Sequence, residues 1–309
     1  MPPLDEETAM WMPITDPSIS LSKATELLRE QDRIIAEDPV VASVVGKIGR
    51  AETSTDPAPI NMTETILTFK PKDQWPEGLT KDAIMQRLDD KLRMPGVTNI
   101  WTQPIRNRID MLSTGIRTQV GVKVFGSDLQ TIEKKSVELE RVLRDVPGAA
   151  DLYAERITGA PYLEIRIDRT AAARYGINVG DAQDVIESAI GGKNVTFTIE
   201  GRQRFPVRVR YARDFREDVD ALANVLVAGP NGTQIPLRDI AHIGVVMGPS
   251  MITSENGLLR GTVLMNVRGR DVGGFVDEAK RVVAERVSMP AGYYIEWSGQ
   301  YENLSLIHI

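Results

Sequence analysis

Hydrophobic and polar positions along the first third of the chain predict a β-α-β-β-α-β order. Strands are indicated at 6–14, 40–49, 62–70 and 96–101, and helices from a Ser20 or Ser22 cap to about Ala36 and over 82–92. In the second helix Ile84, Leu88 and Leu92 recur at a spacing of four, which defines one apolar face. This order is that of a split βαβ, or ferredoxin-like, unit.

The same order begins again further along the chain. Strands are predicted at 120–126, 149–155, 162–168, 258–267 and 293–299, and helices at 275–287 and after a Ser127 cap, bearing Leu129, Ile132, Leu139 and Leu143. In both units a proline follows the first helix, and a Met-Pro pair follows the second. The shared positions of these residues indicate an internal duplication.

An insert at 169–247 separates the halves of the second unit. It contains short helical stretches, the pair Gly191-Gly192, and the runs VTFTIEG and FPVRVRYA, which predict a hairpin. Arg208 and Arg210 alternate with valines and therefore share one polar face. We interpret that face as solvated or in contact with another subunit, and the whole chain as an α+β protein.

Composition narrows the function classes. The 309 residues include no Cys and only two His, His242 and His308, so thiolate and His-based metal sites have little support. A net charge of −6 argues against nucleic-acid binding. The sequence also shows no phosphate-binding loop, nucleophile elbow or metal-hydrolase motif, so we predict that the chain is not an enzyme and uses no cofactor.

Residues 104–117, PIRNRIDMLSTGIR, lack a clean helical or strand period, and Thr114-Gly115 is typical of a turn. We predict an irregular charged segment with Met111 at its centre. Met111 either fills a gap in a linker or belongs to a binding site, and the segment alone leaves both interpretations open.

Several long stretches of this sequence resemble one transporter family. They are MWMPITDPSIS, GKIGRAETSTDPAPINMTETIL, PIRNRIDMLSTGI and AARYGI. They are similar to the heavy-metal efflux branch of the resistance–nodulation–division (RND) transporters, and most of all to its copper/silver pumps. The resemblance runs from residue 2 to about 303 and corresponds to the periplasmic loop between the seventh and eighth membrane helices.

The resemblance implies a domain layout. Residues 1–113 correspond to a first C-terminal porter subdomain, 114–168 with 248–303 to a second, and 169–247 to a docking subdomain. The two porter subdomains would be the ferredoxin-like units predicted above. Residues 304–309, which continue no upstream pattern, form a tail outside the family.

The resemblance also implies an activity and partners. The whole pump would be an integral protein of the Gram-negative inner membrane that exchanges protons for Cu(I) or Ag(I), with this chain on its periplasmic face. It would assemble as a homotrimer with a membrane-fusion adaptor and an outer-membrane channel. Two alternatives remain: the same family with divalent Zn, Cd or Co as cargo, and a free-standing soluble metal-binding protein.

Met12, Met62 and Met111 match the three methionines with which the copper/silver pumps hold their ion. Met12 lies near the end of the first predicted strand and Met62 begins the third, so antiparallel neighbours would bring them to one rim of the sheet. Met111 follows Trp101 by ten residues, a length that can reach that rim. The alternative is core packing, which we expect for Met85 and Met265.

Four charged residues match family positions around the cleft and the path below it: Asp56, Glu64, Arg108 and Arg117. They form either salt bridges that hold the cleft in one state or a relay that guides the ion and its protons.

Overall fold

The first third of the chain forms a four-stranded antiparallel sheet with two helices on one face. The structure is a computed structural model that describes residues 6–53 and 56–302, with the backbone alone between 51 and 57. Its elements here are β1 (Thr8–Trp11), α1 (Leu21–Ala36), β2 (Val41–Lys47), β3 (Ala51–Thr53), β4 (Asp56–Ala58), β5 (Glu64–Phe69), α2 (Lys81–Lys91), β6 (Trp101–Thr102) and α3 (Pro104–Thr114). The sheet order is β2-β5-β1-β6, and β3 and β4 pair separately.

The helices α1 and α2 cover one face of this sheet because their apolar residues recur on one side. Each helix begins at a side-chain cap: the hydroxyls of Ser20 and Thr80 accept hydrogen bonds from the backbone N–H groups three residues on, both at 3.2 Å. Ile84, Leu88 and Leu92 are fully buried against strand residues such as Trp11, as the spacing predicts. The opposite face of the sheet is left for other partners.

A second antiparallel sheet follows, interrupted by an insert. The chain runs through β7 (Val120–Gly126), α4 (Leu129–Leu143), β8 (Ala149–Ala154) and β9 (Thr158–Ile167). The insert adds α5 (Arg169–Arg174), α6 (Val179–Val185), β10 (Lys193–Glu200), β11 (Gln203–Val209), α7 (Val219–Ala223), β12 (Leu226–Ala228), β13 (Gln234–Pro236) and β14 (Ala241–Pro249). The chain then completes the second sheet with β15 (Thr253–Glu255), β16 (Leu258–Val267), α8 (Val272–Arg286) and β17 (Tyr294–Gly299).

The second sheet has the order β15-β16-β7-β17, and β8 also pairs with β16. Helices α4 and α8 bury residues such as Ile132 and Phe275 in one core with Val122 and Met265, as expected for Met265. The predicted cap of α4 was wrong by one residue: Asp128, rather than Ser127, accepts the N–H of Thr131 at 2.8 Å. Ser and Asp are about equally good caps, so the residue types alone did not decide between these two positions. The mixed α+β character is confirmed.

Residues Pro161–Met247 form a second compact unit by themselves. Its core consists of small and aliphatic residues, including Ala172, Val227, Leu237 and Ile240. The predicted hairpin is present as β10 and β11, and every residue of both strands is exposed.

The segment around Met111 is a helix, so the prediction of an irregular stretch was wrong. Pro104 stands at the first helical position of α3, and Gly115 ends the helix with a left-handed φ of 72°. The carboxylate of Glu6 accepts the free N–H groups of Ile105 and Arg106, at 3.1 and 3.0 Å.

The hydrophobic period of α3 is inverted, which explains the error. Its buried side chains are polar and lie at helical spacing: Asn107, Asp110 and Thr114. Its outward side chains include Ile105, Ile109 and Leu112, each more than half exposed. A periodicity argument searches for an apolar buried face, and this helix has none.

A polar seam joins the two sheets. The amide of Asn266 on β16 donates to the backbone carbonyl of Trp101 at 3.1 Å and to Asp151 at 2.7 Å. Asp151, on β8, also pairs with Arg268 at 2.9 Å. Burial raises the pKa of Asp151 above its ordinary value, and the charge of Arg268 opposes that shift. The seam therefore holds a carboxyl group whose charged form is costly in the folded state.

Replacing Asp151 by Asn should change how stability depends on pH. A carboxyl whose pKa is raised on folding contributes stability below its unfolded pKa and loses it as pH rises through the folded pKa. The free energy of unfolding of the wild type should therefore fall relative to that of Asp151→Asn as the pH rises above about 4, the ordinary pKa of an Asp carboxyl group. Asn preserves the shape and, like Asp, tolerates the positive φ of 51° at this position.

Urea unfolding at several pH values measures this difference. The exposed Asp277 on α8 supplies the control variant Asp277→Asn, which also removes one negative charge. A wild-type stability that rises relative to Asp151→Asn with pH would contradict the assignment.

Candidate functional site

The face of the first sheet that the helices leave uncovered carries methionines. Trp11 pairs with Thr65 in the register of β1 and β5, and Ile14 forms the next bridge with Met62. This register sets Met12 and Met62 diagonally across neighbouring strands on one face, a separation that long side chains can span. Met10 lies on the same face, because side chains alternate along a strand.

These side chains are buried between the two sheets. Met12 is 1% exposed and Met62 is 4% exposed, and both belong to one apolar cluster. The cluster also contains Met10, Ile14, Ala58, Ile100, Ile116, Tyr153 and Leu264, so residues of both sheets enclose the two sulfurs. Met12 and Met62 therefore lie between the two sheets, and not in the core that each sheet forms with its own helices.

Met111 lies on α3 outside this cluster. Its side chain is half-buried, and its Sδ accepts a hydrogen bond from the Nδ2 of Asn107, one turn earlier, at 3.5 Å. The structure thus brings Met12 and Met62 together and places Met111 on the adjoining helix. The sequence analysis did not identify Asn107. A helical interpretation of the segment would have placed Asn107 and Met111 on the same helix face, because they are four residues apart.

Arg117 connects the two regions. Its Nη1 donates a hydrogen bond to the Sδ of Met62. The same side chain lines two cavities, one of about 60 Å³ beside Met62 and one of about 220 Å³ that Asp110 also lines. Burial raises the pKa of Asp110, opposed by its hydrogen bond from Gln300 at 2.7 Å. Polar and charged groups therefore line both cavities that Arg117 borders.

Glu155 is a site residue that the sequence argument missed. It follows β8 and lines the small cavity together with Met62 and Arg117. Burial raises the pKa of Glu155, while the charges of Arg260 and Arg117 lower it. No motif marks Glu155, because its importance comes from neighbours that are distant in sequence.

The remaining predicted charges lie in different surroundings. Glu64 begins β5 and pairs with Lys47 across the sheet at 2.7 Å. Arg108 is exposed on α3. Asp56 begins β4, and its side chain lies outside what the structure describes. Among the side chains that the structure describes, no three His, Asp or Glu are grouped so that they could hold a metal ion.

Comparisons with known proteins agree with the sequence resemblance. The profile of the AcrB/AcrD/AcrF family matches residues 1–308. The putative cation efflux system protein SilA of Salmonella typhimurium is 43% identical over 304 residues, which make up 98% of this chain and 29% of that protein. The cation efflux system protein CusA of Escherichia coli (strain K12) is 42% identical over the same shares of each chain. A crystal structure of a heavy metal efflux pump superposes with a TM-score of 0.93 at 31% identity, covering 100% of this chain and 32% of that one.

The chain therefore falls in a family of transporters rather than in a family of enzymes. It belongs to the AcrB/AcrD/AcrF family, and the predicted resemblance to heavy-metal efflux RND pumps is confirmed. The chain spans about 29% of the length of these curated relatives. In the described part of the chain, no helix combines the length and the apolar character that a membrane crossing requires.

Proposed function

We propose that this chain is the periplasmic porter and docking part of a proton-driven Cu(I)/Ag(I) efflux pump, and that Met12, Met62 and Met111 hold the ion. One observation carries the proposal: Met12 and Met62 are buried in one cluster that residues of both sheets form, and helix α3, which bears Met111, contacts strand β1. Ordinary core packing does not require sulfur at an interface lined by a charged cavity.

The chemistry of these ligands suits a soft monovalent ion. Thioether sulfur is neutral and polarizable, and it favours Cu(I) over hard cations. Ag(I) is equally soft and should bind in the same way. Because a thioether carries no proton to lose, binding should depend little on pH. A divalent ion would instead require His or carboxylate ligands, and the described residues contain no group of three of these that could hold an ion.

We propose the domain layout from the element order. Residues 1–113 would be one ferredoxin-like porter subdomain, and 114–168 with 248–303 a second. The strand orders β2-β5-β1-β6 and β8-β16-β7-β17 support this, since each places the first and third strands of a unit at the centre. Residues 169–247 would be the docking subdomain, supported by the separate core of that region. Residues 304–309 lie outside the described residues.

The whole pump would act at the periplasmic face of the inner membrane as a homotrimer. Its partners would be a membrane-fusion adaptor and an outer-membrane channel. The fully exposed β10–β11 hairpin, with Phe197, Ile199 and Phe205 on its surface, supports a subunit contact in this region.

X-ray absorption at the copper edge of the Cu(I)-loaded chain tests the site directly. We expect about three sulfur neighbours near 2.3 Å, by analogy with metal–thiolate lengths. Met12→Ile should remove one sulfur from the shell. Met10→Ile is the matched control, since Met10 lies on the same sheet face and in the same cluster, and it should leave the shell unchanged. A shell of nitrogen or oxygen atoms would contradict the proposal.

A further inference from the structure

Arg117 contacts a sulfur atom that the proposed metal site would use as a ligand. Its guanidinium donates to the Sδ of Met62, which is itself almost completely buried. Thioether sulfur is a weak hydrogen-bond acceptor, and the same lone pairs bind a soft metal ion. A guanidinium and a metal cation cannot share that position, because they compete for the same electrons and repel each other.

Arginines predominate among the charged residues that line the cavity beside Met62. Its described lining residues include three arginines, Arg117, Arg156 and Arg260, but a single carboxylate, Glu155. Arg260 pairs with Glu255 at 3.2 Å and Arg156 pairs with Glu140 at 2.9 Å, whereas the Met62 sulfur that Arg117 contacts carries no charge. A cation that approaches Met62 through this cavity therefore meets the guanidinium of Arg117 at its ligand.

Glu155 offers Arg117 a second position. It lines the same small cavity, and the charge of Arg117 lowers the pKa of Glu155 against the effect of burial. Arginine pairs well with carboxylates, and its long side chain can change rotamer without moving the backbone. The cavity thus contains both the sulfur that Arg117 contacts and a carboxylate that could receive it.

We propose that Arg117 is a displaceable internal cation, which occupies Met62 in the empty site and moves toward Glu155 when Cu(I) or Ag(I) binds. This inference rests on the proposed three-methionine site. Arg117 then sets a threshold: only an ion that bonds strongly to sulfur displaces it, and its return favours release of the ion. Hard monovalent ions such as Na⁺ and K⁺ gain too little from a thioether to displace it.

Ag(I) titration of the full chain by calorimetry tests the inference. Arg117→Leu should bind Ag(I) about tenfold more tightly than the wild type, the lower end of what a hydrogen bond from a charged donor contributes. Arg117→Lys, which keeps a cation at the position, should remain close to the wild type. Arg156→Gln is the matched control, because it removes a charge from the same cavity but no contact with Met62, and its gain should be smaller.

A double-mutant cycle shows whether Arg117 acts through Met62. The gain from Arg117→Leu should disappear in a Met62→Ile background, whereas a general charge effect would persist there. If Arg117→Leu fails to fold, Arg117→Gln serves in its place, and thermal unfolding checks each variant. Equal or weaker Ag(I) binding by a folded Arg117→Leu or Arg117→Gln variant would overturn the inference.

The outcomes also separate this inference from the proposed function. If Met62→Ile weakens Ag(I) binding but the neutral variants Arg117→Leu and Arg117→Gln do not strengthen it, the three-methionine site stands and the displaceable cation is rejected. If Met62→Ile has no effect on Ag(I) binding, both are rejected.

Discussion

Met111→Ile should lower the affinity of the chain for Ag(I) by at least about 100-fold, while the fold persists. Residues that only support a metal ligand already contribute about 10- to 100-fold to affinity, so the loss of one of three direct ligands should cost at least as much. The sulfur is the essential part of the change, because isoleucine retains a similar apolar volume. Met111 is also half-buried and outside the core clusters, so its replacement should alter the free energy of unfolding by less than about 1.5 kcal/mol.

Met85→Ile is the matched control for this measurement. Met85 is also a half-buried methionine on a helix, α2, and packs beside the core of the first sheet. Both substitutions therefore carry the same small helix-propensity cost of a β-branched residue. Calorimetric titration with Ag(I) should separate them clearly. Equal affinities for Met111→Ile and the wild type would reject Met111 as a ligand and leave it as a packing residue of α3.

Phe275→Ala should produce the largest loss of stability, about 3–5 kcal/mol in the free energy of unfolding. Phe275 lies on α8, is fully buried, and contacts the core shared with α4 and the second sheet. Its removal leaves a cavity that the surrounding side chains fill only in part, and it also ends the cation–π contact with Arg270, 5.9 Å from the ring centre.

Phe215→Ala is the control for the aromatic deletion. Phe215 is 63% exposed in the insert, so the same change should cost about 0.5 kcal/mol or less. Urea unfolding followed by circular dichroism measures both variants. A similar loss in the two would mean that the second sheet does not have the buried core described above.

The helices and strands that form a core within one layer were predictable from sequence. In α1, α2, α4 and α8, apolar residues recur on one side, and they make up most of the residues that the structure buries there. Strand β16 matches its predicted range of 258–267. These elements could be predicted because each one is amphipathic by itself. The spacing of its apolar residues therefore indicates which face is buried.

Helix α3 shows where this reasoning fails. Its buried face is polar and is satisfied by hydrogen bonds to distant residues, such as that between Asp110 and Gln300, 190 positions later. Its outward face carries the apolar side chains. Such a helix contradicts the pattern from which helices are inferred, so the segment around Met111 could not be assigned from its own residues.

The sequence by itself determined the elements, the α+β class, and the residue types of the candidate site, because periodicity and composition are local properties. The sequence also showed that methionine supplies all the sulfur of this chain, because cysteine is absent. Only the tertiary structure decided that Met12 and Met62 lie between two sheets, that Arg117 contacts one of these sulfurs, and that Glu155 shares its cavity. These relations join residues far apart in the chain, and such contacts depend on how the layers meet, which no local pattern encodes.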